Sequence, residues 1–577
     1  MKKRIASFII AMLFLLSSST VLAYENDEGI EIVLPDGLRM VALTDEARAI
    51  ALSDFDYLAD MILQTAPTVN IVYRRLGITM EDLLAQSRQS IYDKTPIPSL
   101  TALLLGEDWI EEPEEPLELA ADYLKSLLTL MAVDLGGLGH FSPLDALIYE
   151  QLFIGAAIIV NNAELLLELG MTQANLDFIQ LHYDIYSTPA TVRLFGVNPE
   201  DFNLDADALG DVGLMNEDNV TTYIIEPGRI AYLRIASFMN SIVLDMETIF
   251  LFFEQIQDYE HLIIDVRGNM GGLANYFTVM LMMLIDEAIQ FQYPEFYIGS
   301  ELTAGFYENP LSMAGGELYG KFTAAEFVQE RNMLYFNQDD LELLDYVLVW
   351  QTDLPPLEDN TPFAGEIWLL VDGMSMSASE IAAKISVNTG FATVVGEPTA
   401  GVTGVIHTFA SLPNTGVLFR IDLGYTVDNY GRSIEEFGVI PQIANMPELD
   451  ALQTVLTLIA APSATLNTSI YLDDEDTGVS GVIFTDRTLI SVASVADIFE
   501  SAQLNIDNWQ AILLYGDTRM ILSINSNEAY VNDTAFTMPQ PLQIVNGEIF
   551  VPLRFIAENF GYDVDFYNYA VVIFSNE

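Results

Sequence analysis

Apolar residues recur at three- and four-residue spacing in four stretches early in the chain, Ser53–Gln64, Thr79–Ile91, Pro116–Leu130 and Asp145–Ile159. That is the period of an amphipathic helix. Pro67, Pro96, Pro98 and Pro113 punctuate the pattern, because proline cannot donate to a helix's hydrogen bonds. The spacing predicts a small helical bundle whose last connection, Val133–Pro143, runs through the glycine-rich DLGGLGHFSP. Ala174–Val220 is less regular and reads as a connecting region with short helices. From Thr221 the pattern changes to short continuous apolar runs alternating with helical ones. Strands are expected at Ile230–Ile235, Leu262–Val266, Ile367–Val371 and Ala392–Val395, and helices at Leu244–Gln257, Ala274–Leu284 and Ser377–Asn388. Such alternation predicts an α/β unit with a parallel sheet covered on both faces. A long aromatic insertion with acidic stretches, Thr303–Asp353, interrupts it. After a polar break at Asp473–Val479, Thr488–Asp507 echoes Glu548–Asp565, each reading as strand, amphipathic helix and strand. A duplicated αβ module explains the echo.

At 577 residues the chain exceeds what one core can organise. The expected layout is a signal sequence over 1–23, a helical cap over 24–166, a connecting region over 167–225, a catalytic domain over 226–460, a linker over 461–480 and an accessory domain over 481–577. The signal sequence is read from MKKR, the apolar run Ile5–Leu16 and the small-residue site Val21-Leu22-Ala23, with cleavage after Ala23. The run is short for a spanning helix, and no later segment is apolar enough to cross a bilayer. Export is therefore expected. The chain has no cysteine, so an oxidising compartment is tolerated without being exploited. Loss of Lys2, Lys3 and Arg4 with the leader takes the net charge from −61 to −64. Such a surface repels nucleic acid and anionic lipid and argues against both as partners.

Two turns concentrate the candidate chemistry. His261–Gly272 reads HLIIDVRGNMGG and Gly365–Lys384 reads GEIWLLVDGMSMSASEIAAK, each a buried-looking strand entering a special turn. Ser377 falls at a helix N-terminus, where free N–H groups and the helix dipole stabilise a developing anion. The same position also suits a plain N-cap. Gly268, Gly271 and Gly272 do not fit the GxGxxG spacing, and no Lys-Ser/Thr pair follows, which excludes a phosphate cradle. The Gly-Gly pair is either a tight turn or a source of N–H groups for an oxyanion.

Together and in this order the motifs resemble the tail-specific (C-terminal processing) and tricorn-core family of serine peptidases. The pieces are IAYLRIASF at Ile230–Phe238, LIIDVRGNMGG at Leu262–Gly272, SASE at Ser377–Glu380, VVGEPTAG at Val394–Gly401, LPNTGV at Leu412–Val417 and IEEFGVIPQI at Ile434–Ile443, within Leu43–Leu458. The resemblance implies a crotonase-like catalytic fold capped by the helical bundle. It implies Ser377 as nucleophile, with Gly271 or Gly272 and the amide of Ala378 as oxyanion hole. Val402 stands where the tail-specific branch carries its lysine base, and Lys384 lies two helical turns beyond Ser377, about 10 Å along the axis. A Ser-Lys dyad is thereby excluded, and no PDZ-like segment is recognisable before Thr221. The tricorn-like branch takes its base from a histidine in the helical region, which implies His140, with His407 after the GEPTAG turn as competitor. His182 and His261 suit packing or surface roles. The orienting carboxylate implied is Glu435, with Glu436 as fallback.

Val545–Phe566, VNGEIFVPLRFIAENFGYDVDF, resembles the copper amine oxidase N-terminal-like domain of exported Gram-positive proteins. Every histidine lies before residue 408, so no copper site is expected there, and no other metal or cofactor is implied. The expectation is an exported or envelope-associated serine endopeptidase acting on polypeptide, its C-terminal domain attaching to a wall or envelope polymer. The competing expectation is an inactive relative that binds peptide or cell envelope. An acyl-CoA enzyme of the same fold fits neither the leader nor the acidic surface.

Overall fold

The structure, a computed structural model, describes residues 22–26, 29–33 and 39–575, apart from 100–114, 136–138, 164–166, 168–172, 197–218, 305–316, 404–406, 461–465, 524–527, 539–541 and breaks of one or two residues. Residues 1–21 of the leader expected to direct export, and residues 168–172 and 197–218 of the connecting region, lie outside the described residues. Helix α1 (Asp45–Thr65) begins at Thr44, whose hydroxyl accepts from the amide of Ala47 and whose successors Asp45 and Glu46 suit the helix dipole. Helix α2 (Val69–Leu76) was not anticipated; Gly77 ends it in the left-handed conformation. Then follow α3 (Met80–Tyr92), α4 (Pro116–Asp134), the two-residue strand β1 (Ser142–Pro143), α5 (Ala146–Asn161), α6 (Gln173–Tyr186) and α7 (Pro189–Phe195). All four predicted helices are present, each within a few residues of its expected span except α1, which starts eight residues sooner because Ala47 and Ala51 continue its buried stripe.

The expected α/β alternation builds a six-stranded sheet. Its strands are β2 (Val220–Glu226), β3 (Ile230–Ile235), β4 (His261–Asp265), β8 (Glu366–Val371), β9 (Thr393–Gly396) and β13 (Ile443–Ala444), in the order β13-β9-β8-β4-β3-β2. All neighbours are parallel except β2, which runs antiparallel to β3. Side chains alternate between faces. Ala231, Leu233, Ile264, Leu369 and Val394 pack under α8 (Ile242–Ile256), α9 (Ala274–Leu284) and α10 (Ala378–Thr389). Ile230, Ile263, Leu370 and Val395 pack under α11 (Ala451–Ala460) on the other side. Burial on both faces is why these strands read as unbroken apolar runs.

Two further sheets complete the central segment. The expected insertion supplies β6 (Glu317–Thr323) and β7 (Tyr346–Leu354) to an antiparallel sheet of order β6-β7-β5-β12, with β5 (Ile289–Tyr297) and β12 (Tyr425–Thr426). A three-stranded sheet sets β11 (Leu418–Asp422) between β10 (His407–Ser411) and β1. Through these sheets the helical region loses its independence. Phe55, Leu58 and Tyr123 share one buried core with Phe296, Val347, Phe419 and Tyr425. Asp54 on α1 is fully buried and accepts from the amides of Asn414 and Thr415.

In the C-terminal segment the two echoed strands, Arg487–Ser491 and Glu548–Pro552, pair antiparallel with Ile490 opposite Val551, and a short helix follows each. This segment has its own core. It meets the central segment where Leu489 and Phe550 pack on Met446, Leu449 and Leu458.

Candidate active site

Ser377 sits between β8 and α10 with φ +52° and ψ −115°. An ordinary N-cap is extended, whereas a non-glycine residue here holds a strained conformation that its surroundings must enforce. They do so through many bonds. The amide of Ser377 donates to the carbonyl of Val402 (3.1 Å) and to Glu380 Oε2 (3.1 Å). The amide of Met376 donates to the carbonyl of Asn269 (3.0 Å), and Ser379 Oγ donates to the same carbonyl (2.9 Å). The glycine turn and the serine turn are thereby stitched side by side, as parallel β4 and β8 require.

The two glycines differ in role. A Cβ on Gly271 would lie 2.7 Å from the carbonyl oxygen of Met376, 2.8 Å from Ser377 Cβ and 3.0 Å from the amide of Ala378, so only glycine lets the turns close. Its own N–H, however, donates to Asn269 Oδ1 (2.9 Å). Gly272 lies against Phe238, whose carbonyl a Cβ would meet at 2.3 Å. Among the described residues the N–H groups of Gly272 and Ala378 have no hydrogen-bond acceptor. Of the expected oxyanion-hole set, then, Gly272 and Ala378 offer donors and Gly271 supplies clearance. Met270, Met374, Met376, Ala400 and Val402 form an apolar cluster around them.

His140 is buried, and its position follows from the three-stranded sheet. β1 pairs Ser142 with Arg420, which brings the end of β11 beside the preceding glycine loop. There Asp422, fully buried, accepts from the amide of His140 through Oδ2 (2.7 Å) and lies 3.0 Å from its Nδ1 through Oδ1. A Cβ on Gly139 would come within 2.4 Å of Asp422 Oδ2, so the glycine before the histidine admits the carboxylate. With Nδ1–H donated to Asp422, the tautomer leaves Nε2 as the acceptor. His407 lies opposite Asp422 in the β10–β11 register. His261 is near Glu366 (3.2 Å), and His182 packs against Tyr186 and Phe409.

The expected orienting acid, Glu435, is placed elsewhere. Its Oε1 accepts from Thr426 Oγ1 (2.7 Å) and Thr403 Oγ1 (3.0 Å), and its Oε2 from Ser433 Oγ (3.2 Å). Burial pushes its carboxyl up to about 7 against those bonds. The fallback, Glu436, is held by Arg74, which also grips Asp340. The acid on the imidazole is Asp422, which the motif reading missed. Its signal was an Asp inside the apolar strand VLFRIDLGY, since a buried carboxylate requires a partner. Lys384 lies apart from Ser377, beside a cleft of about 20 Å³ that it lines with Phe291, Tyr293, Ile381, Thr403 and Thr426. The helical region reaches this neighbourhood through Arg75, which donates to the carbonyls of Glu435 (2.6 Å) and Glu436 (3.0 Å).

Among the described residues no cluster of three or more His, Cys, Asp or Glu could hold a metal, and no helix is long and apolar enough to cross a membrane. Residues 471–574 contain neither His nor Cys, so the donors copper prefers are missing from the C-terminal segment.

Comparison with known proteins gives two family matches. Residues 229–445 match Peptidase family S41, and residues 471–574 match the Copper amine oxidase N-terminal domain. Solved structures similar to the chain include mature CPAF complexed with lactacystin, at 14% identity and TM-score 0.35, covering 68% of this chain and 93% of that one. A lipoprotein from Streptococcus agalactiae matches at 12% identity and TM-score 0.32, covering 74% and 100%. The photosystem II D1 C-terminal processing protease matches at 18% identity and TM-score 0.24, covering 41% and 50%. The chain is thus similar to Peptidase family S41 over residues 229–445 and to the Copper amine oxidase N-terminal domain over residues 471–574.

Proposed function

We propose that this protein is an exported serine endopeptidase with a crotonase-like catalytic unit, cleaving polypeptide through an acyl-enzyme on Ser377. The observation that carries the reading is the Ser377 turn: a strained serine at a helix start, closed on Gly271, beside two N–H groups without acceptors. Ser377 Oγ attacks the scissile carbonyl while its proton passes to His140 Nε2. The resulting oxyanion accepts from the N–H groups of Gly272 and Ala378. His140 then returns the proton to the departing amine, and water repeats the sequence to release the acid. Asp422 holds the imidazole in the accepting tautomer and stabilises its cation, the role the resemblance had given to Glu435. Glu435 instead ties the loop at Thr403 to Thr426. The MKKR leader supports export, and the C-terminal domain is assigned to attachment at the cell envelope.

A fluorophosphonate probe tests this. The protein should label stoichiometrically, Ser377→Ala should not label, and His140→Ala should label far more slowly. Labelling that persists in Ser377→Ala would remove the nucleophile assignment. Loss of labelling in His407→Ala alone would transfer the base to His407.

A further inference from the structure

We infer that Glu380 is the positioning residue for the nucleophile, its ionised carboxylate clamping the Ser377 turn to the loop over 399–402. The inference rests on Ser377 as the nucleophile. Glu380 is fully buried and accepts four hydrogen bonds. Oε1 accepts from Thr399 Oγ1 (2.6 Å) and the amide of Gly401 (2.7 Å); Oε2 accepts from the amides of Val402 (2.7 Å) and Ser377 (3.1 Å). A capping box accounts for the Ser377 contact alone. The other three donors come from a loop about twenty residues further along the chain, the loop whose Val402 carbonyl also accepts from Ser377. The Glu380 carboxylate therefore joins the nucleophile's own amide to the loop over 399–402. With φ at +52°, the serine depends on such fastening to keep its hydroxyl aimed.

The clamp works in one protonation state. All four partners are donors, so a proton on either oxygen must point at an N–H or displace a donor. Arg75 of α2 acts on Glu380 from a neighbouring element and also feels Glu435 and Glu436. Burial pushes the Glu380 carboxyl up to about 7, its four donors opposing the shift. The ionised form, and with it the aim of Ser377, is then lost as pH falls through neutrality.

The test uses the full chain and two readouts. The first is the rate of fluorophosphonate labelling of Ser377 from pH 5.5 to 9. In the unmodified protein the rate should fall as pH drops through neutrality, following the protonation of Glu380. Glu380→Gln should label at least about tenfold more slowly at pH 8.5, with the contribution of Glu380 gone from its acid limb. Thr399→Val removes one donor to the carboxylate; it should move the acid limb to higher pH and approach the unmodified rate by pH 9. A Glu380→Gln rate within twofold at every pH with an unchanged limb would overturn the inference, as would a Thr399→Val limb that does not move. The second readout is hydrogen exchange at the amides of Gly401 and Val402, corrected for intrinsic rates. Protection should fall from pH 8 to pH 6 in the unmodified protein and be low at both pH values in Glu380→Gln. Equal protection in the two proteins overturns the clamp. Failure of the unmodified protein to label at any pH overturns the nucleophile reading instead, while exchange still decides the clamp.

Discussion

Replacing Asp422 by Asn tests the catalytic geometry at its most specific point. Asp422 serves two donors of one residue: its Oδ2 takes the His140 amide at 2.7 Å, and Oδ1 faces Nδ1 at 3.0 Å. Asn has one oxygen. Since the backbone N–H can only donate, that oxygen goes to the amide and the NH₂ group turns toward Nδ1. Nδ1 must then accept, which places the proton on Nε2 and leaves no lone pair for the Ser377 proton. The change keeps shape and volume, so the fold should survive it. A wrong tautomer in a serine-histidine site costs about 10⁴ in kcat, or about 5 kcal/mol at the barrier. The assay is the second-order labelling rate with a fluorophosphonate, run beside circular dichroism and thermal unfolding. Asp422→Asn should lose about three to four orders of magnitude at pH 8, with little change in Tm. An Asp422→Asn rate within tenfold of the unmodified protein, together with a thousandfold loss in Glu435→Gln, would refute the reasoning and return the orienting role to Glu435.

Glu435→Gln should instead be read in stability. Folding raises this carboxyl to about 7, so the native state binds the proton more tightly than the unfolded chain, and stability present near pH 4.5 is lost as pH rises to 7. That is about 3 kcal/mol, and the fall in unfolding free energy from pH 5 to pH 8 should shrink by up to that amount in Glu435→Gln; an unchanged fall in urea titrations would contradict it. Gly271→Ala should lose at least about a hundredfold in labelling, because its Cβ collides with the carbonyl of Met376 and with Ser377. Gly390→Ala, at a φ of +72° with open space around it, should cost only about 1–2 kcal/mol and keep its activity; similar labelling in the two variants would refute the clearance argument. Arg75→Met leaves the carbonyls of Glu435 and Glu436 without their donor and should lower stability by about 1–3 kcal/mol in a denaturant titration. No change there would mean that the helical region is not fastened to the site through Arg75.

The amino-acid sequence by itself determined the local elements and the serine and glycine turns. Strand Ile230–Ile235 and helix Ala274–Leu284 occur over the residues their periodicity marks, because burial on both faces of the strand and on one stripe of the helix writes a short-range pattern. The adjacency of the serine and glycine turns was legible for the same reason: β4 and β8 are parallel neighbours that end in adjacent turns, and each turn carries its signal within a few residues. Tertiary structure alone decided which acid meets His140. Asp422 and His140 are 282 positions apart and meet only because β1 and β11 pair, a contact that leaves no periodic trace. Glu435 stood beside a recognisable motif, but its oxygens face the hydroxyls of Thr403 and Thr426. The division has one physical cause. Periodicity records how a segment meets solvent and core, whereas a hydrogen bond between distant segments depends on register and packing that no single segment contains.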